Sequence, residues 1–162
     1  MKFPHYKKRL EESAEFKQFK KKHKKSYLCA GFFILDYEQG KNSVQIDYLL
    51  PNKKIATFNL DEGVKMNISE KPVEKPLAEI SQEAIMDLDK LKLIVEDEMK
   101  NHVVTEKIKK IIAILHIIDN RLVWNLQCIM DGLGILLVHI NDADSSLLKF
   151  EKHSIMEFVK KA

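Results

Sequence analysis

Histidines, carboxylates, thiols and one dense run of lysines are the side chains in this sequence with chemistry to offer, and their spacing limits what each can do. His116 and His139 both fall in alternating apolar stretches. Two imidazoles with a carboxylate could hold a metal ion, but no HxH, HExxH or CxxC spacing accompanies them, and a pair of satisfied sheet histidines is the competing reading. Glu96, Asp97 and Glu98 are consecutive, so on a helix they point apart and cannot share a proton as a paired acid and base. Asp61, Glu62, Asp142 and Asp144 occupy turn positions, where such side chains cap their own backbone or, alternatively, bind calcium. Cys29 and Cys128 sit among apolar residues, as buried free thiols do. With no glycine-rich phosphate loop, no GxSxG and no cysteine with a supported histidine partner, an enzyme here would need a site assembled from scattered residues. No catalytic residue, metal ligand or cofactor is expected.

The strongest local signal is basic. Lys17, Lys20, Lys21, Lys22, Lys24 and Lys25 crowd nine positions, and residues 1–25 carry ten Lys and Arg against three Glu, a net of +7 in a chain whose total is +3. Such a patch could neutralise phosphates of a nucleic acid or meet an anionic surface, or it could simply solvate a helix end. No aromatic-interleaved RNA motif is visible to decide among these.

The elements that position these groups follow from periodicity. Phe3, Tyr6, Leu10, Ala14, Phe16 and Phe19 predict an amphipathic helix over 3–22. A period of two then predicts strands over 27–36, 44–50, 55–60 and 64–68. The two prolines and alternating charges of 70–76 read as a linker, taken as 71–86. Leu88, Leu91, Val95 and Met99 predict a second helix over 87–101. The isoleucine-dense 107–118 favours strand over helix because β-branching suits extended chain. A two-residue turn at Asp119-Asn120 leads to strands over 121–130, 135–141 and 147–151, and a turn or two of helix is expected over 153–161.

This order predicts an α+β protein of two tandem units, 1–70 and 87–162, each an amphipathic helix followed by an antiparallel meander. Trp124-Asn125-Leu126-Gln127 and Val138-His139-Ile140-Asn141-Asp142-Ala143-Asp144 resemble strand motifs of a PepSY domain over residues 87–151, although Ser145 and Ser146 stand where that family usually has glycine. The resemblance implies a non-catalytic module with binding or inhibitory roles.

If Asp119-Asn120 is a tight turn, Leu115 pairs with Trp124 and Ala113 with Leu126, which gathers an apolar face for the second helix. The other face still holds Ile112, Ile114, Ile129 and Leu137 beside His116, Asn125, Gln127 and His139, too apolar to be left to water. Either the first unit's sheet or a second copy is expected to cover it. No apolar run reaches the ~18–20 residues of a membrane span, the N-terminal residues lack a secretory apolar region, and a cytoplasmic location is expected. The functional expectation is a non-enzymatic binding or interaction protein, with an unidentified protein partner or self-association. Alternatives are a nucleic-acid-binding accessory protein using the lysine run, or a small-molecule-binding protein or enzyme with a cavity between units.

Overall fold

Strands rich in apolar residues on both faces suit the interior of a sheet, and two segments here have that composition. A computed structural model describes residues 1–154 and Met156, and it places these two segments, β1 (Tyr27–Asp36) and β5 (Ile108–Ile118), side by side at the centre. With β2 (Ser43–Leu49), β3 (Ile55–Asn59), β4 (Lys65–Ile68), β6 (Arg121–Met130), β7 (Gly134–Asn141) and β8 (Leu147–Ser154) they form one antiparallel sheet, ordered β4-β3-β2-β1-β5-β6-β7-β8. The isoleucine-dense segment is therefore strand, and Asp119 and Asn120, both at positive φ (50° and 63°), make the hairpin turn that sets Leu115 against Trp124 and Ala113 against Leu126.

The expectation of two tandem α+β units is overturned. The protein is mainly β, 42% strand against 21% helix, built on a single eight-stranded sheet with three short helices among the described residues. The physical reason lies at the edges of β1 and β5. Each would otherwise present a row of unpaired N–H and C=O groups, and pairing Gly31 through Asp36 with Leu115 through Lys110 satisfies both rows at once. The first four strands thus join the second four edge to edge, so they do not stack over the mixed face as one reading of the sequence expected.

One face carries the core. Phe33, Ile46, Phe58, Ile111, Leu115, Trp124, Leu126 and Leu136 are fully buried there beneath α1 (Phe3–Glu11), α2 (Ala14–Lys22) and α3 (Leu91–Asn101). The single helix expected over 3–22 is two helices. Leu10 and Phe16 both face the sheet, and six residues along one helix would put them on different sides. The chain instead turns extended at Ser13 (ψ 148°), whose Oγ accepts from the Phe16 N–H at 3.2 Å and restarts the helix. A single 3-10 turn, Leu88–Lys90, precedes α3. Within 71–86, Ile80, Ala84 and Met86 are buried in the core, and the Ile80 N–H donates to the Leu28 carbonyl at 2.8 Å. Strand β8 runs to Ser154; apart from Met156, the remainder of the helical turn expected over 153–161 lies outside the described residues.

Candidate binding surface

Side chains alternate across a strand, so the register that buries Phe33 and Trp124 turns their neighbours to the helix-free face. Phe32, Ile34, Ile112 and Ile114 form a half-buried apolar block where β1 meets β5, since Phe32 pairs with Ile114 and Ile34 with Ile112. Leu137 and Ile129 are further half-buried apolar positions on this face, Leu137 set off from Ile112 by Gln127 and Ile129 lying opposite Lys110. The flanks differ. Toward β3 the face is polar and small, with Ser43, Gln45, Asp47, Thr57 and Asn59 in register. Toward β8 it carries His116, Asn125, Gln127, His139 and Lys149, the last paired with Glu151 at 3.7 Å.

Two titratable groups on this face are shaped by partial burial. Asp47 accepts from Gln45 Nε2 at 3.2 Å, yet burial raises its carboxyl above the usual 3.8, with hydrogen bonds from Thr57 and Gln45 opposing. His116 is held below its ordinary value first by burial and then by the neighbouring His139, and His139 is lowered by burial and by Lys149. Asn125 lies between the two imidazoles, with its Nδ2 3.5 Å from His116 Nε2. Among the described residues no three His, Cys, Asp or Glu side chains converge as a metal site.

The turn acids serve the fold rather than a ligand. Asp142 is 4% exposed and accepts from Trp124 Nε1 (2.9 Å) and from the backbone N–H groups of Ile85 (2.9 Å) and Met86 (3.1 Å). It ties the segment before α3 to the sheet. Asp61 reaches back to Val44 N (2.8 Å) and Ser43 Oγ (2.6 Å), while Asp144 caps its own turn through Ser146 N (2.9 Å). Periodicity could not have found the Asp142 bridge, because its partners lie far away in sequence. Cys29 and Cys128 are free and buried, and burial pushes both thiols up to about 12.

The lysine run divides. Lys20 donates to the Ser26 carbonyl (3.0 Å) and closes the end of α2, whereas Lys17, Lys21, Lys22, Lys24 and Lys25 are exposed. Lys17, Lys20, Lys21 and Lys24 rim a shallow groove of about 540 Å³ floored by Phe16. A second cleft, about 440 Å³, lies between α1 and residues 81–84. No described helix is long and apolar enough to cross a membrane.

No family model and no curated protein matches this chain. Among solved structures, it is similar to the crystal structure of a putative lipoprotein from Clostridium difficile 630, at 12% identity and a TM-score of 0.54, covering 86% of this chain and 90% of that one. At that identity the likeness concerns the fold alone.

Proposed function

We propose that this chain is a non-enzymatic binding protein that engages a protein partner through the helix-free face of its sheet. The observation that carries the reading is the apolar block of Phe32, Ile34, Ile112 and Ile114, left half-buried at the centre of a sheet whose other face is fully packed. A contiguous apolar patch bordered by polar residues is costly in water and marks an interaction surface. The resemblance of residues 87–151 to a PepSY domain supports a non-catalytic role, as α3 is followed by four antiparallel strands. A cytoplasmic location belongs to the same proposal and rests on the two buried reduced thiols. Fractionation of the native host that finds the protein only with membranes refutes that part.

The test is capture of partners by the tagged chain from native extract, side by side with Ile114→Lys, which places a charge in the apolar block. Partners that bind the wild type and are lost by the variant are the expected result. Equal capture by both proteins removes the face from the reading.

A second reading, a nucleic-acid-binding accessory role, is favoured by the exposed side chains of Lys17, Lys21 and Lys24 around the Phe16 groove, with Lys22 and Lys25 exposed beside them in the chain. Retention on an RNA column that falls steeply with salt and is lost when these five become Ser would establish it. Lys20 is left intact in that variant because its bond to the Ser26 carbonyl holds the turn that follows α2.

A further inference from the structure

The helix-free face has the size and symmetry of a surface that binds itself. Eight strands at ~4.8 Å span about 38 Å, and five residues of each, four in the short β4, at ~3.3 Å give about 13–17 Å of height, so the face, roughly 600 Å², approaches the ~800 Å² that each partner contributes to a standard interface. Its apolar block lies at the β1–β5 pair, the midline of the strand order, with three strands on either side. A two-fold axis along that midline sets block on block. The same axis places each β2–β4 flank opposite the other copy's β6–β8 flank. These flanks are unlike: the rows Gln45–Phe32–Ile114–Asn125 and Ser43–Ile34–Ile112–Gln127 run across the sheet, so the axis sets Gln45 opposite Asn125 and Ser43 opposite Gln127 of the other copy, while each flank carries charges of both signs, Asp47 with Lys65 on one and Glu151 with Lys149 on the other. An axis across the strands would instead oppose like flanks.

We propose that the partner of this face is a second copy of the chain, the two sheets stacking face to face about an axis parallel to β1 and β5. This rests on the reading of the face as a binding surface. Aligned sheets pack ~10 Å apart with their strands within ~30°, and the half-buried side chains of both copies interdigitate between them. The partly buried Asp47, Gln45 and Asn125 then gain polar neighbours across the interface.

Sedimentation of the untagged full chain across roughly a hundredfold range of concentration tests the proposal. The expected result is a species of twice 18.9 kDa. Ile114→Lys should weaken it at least ~100-fold, because a desolvated lysine has no partner in the block. A nitroxide on Gln127→Cys, an exposed position on this face, gives a second measurement that does not depend on a core-adjacent variant folding. The two β6 strands should lie three strand spacings apart laterally and one sheet spacing in depth, so the labels should couple within about 30 Å. A monomer at every concentration overturns self-association, while the capture experiment separately decides whether the face binds another protein. A dimer unaffected by a folded Ile114→Lys, or labels beyond about 40 Å, overturns both the stacking and the use of this face.

Discussion

Asp142 shows how much one side chain can bear in this fold. Its carboxylate closes three donors, two of them buried, the indole of Trp124 and the Met86 N–H, and one part-buried, the Ile85 N–H. Removing an acceptor strands its donors, at about 1–3 kcal/mol each where water cannot reach. Asp142→Ala should therefore lose about 3 kcal/mol in urea unfolding, with Asp142→Asn losing less because Oδ1 can still accept. A loss under ~1 kcal/mol would mean that water replaces the carboxylate. Asp47 works in the opposite direction. Its folded pKa is raised by burial, so its contribution to stability is fully present below about 3.8 and is lost as pH rises through the folded value. Asp47→Asn should raise the melting temperature at pH 7, and the gain should shrink toward pH 3.5. A variant less stable than wild type at pH 7 would show that the ionised form has a partner beyond Gln45 and Thr57.

At the scale of elements, the ends of helices and the seat of α1 are the sensitive points. Helix α3 ends in a Schellman arrangement, with Val104 N donating to Met99 O at 3.0 Å, and this forces Val103 to φ 54°. A β-branched residue in that left-handed region is strained, and Val103 is 83% exposed, so its side chain returns little burial. Val103→Gly should stabilise the protein by about 1 kcal/mol, read as a higher urea midpoint at unchanged slope. Gly31 marks the reverse case. A Cβ there would lie 2.9 Å from Phe3 Cε2 and 3.1 Å from the Phe33 ring, because α1 presses its first aromatic onto β1. Gly31→Val should cost about 2 kcal/mol by overpacking, and truncating Phe3 to Leu in the same chain should recover part of it.

For the whole molecule, the β1–β5 junction decides what can exist alone. Residues 87–162 expressed separately would lose the strand that pairs with β5 along Lys110–Leu115 and, with it, Phe33, leaving the side of the Trp124 ring it packs against open to water. That fragment should associate or aggregate, whereas mixing it with residues 1–86 should restore a soluble complex. A monomeric, cooperatively folding fragment would show that the edge pairing contributes little.

The sequence by itself determined the strands, the Asp119-Asn120 hairpin and the pairing of Leu115 with Trp124, because alternation, β-branching and turn chemistry are local and each residue's neighbours report them. It also determined that the second face of β5 to β7 would be mixed and too apolar to be left to water, and that the lysines would collect at the end of α2. Tertiary structure alone decided that β1 lies beside β5, that helix 3–22 breaks at Ser13, and that Asp142 spans from β6 to the segment before α3. The first and last come from satisfying backbone edges and buried polar groups between segments far apart in the chain, and the break at Ser13 from turning both Leu10 and Phe16 to the sheet. No periodicity within either segment encodes which distant partner will meet it.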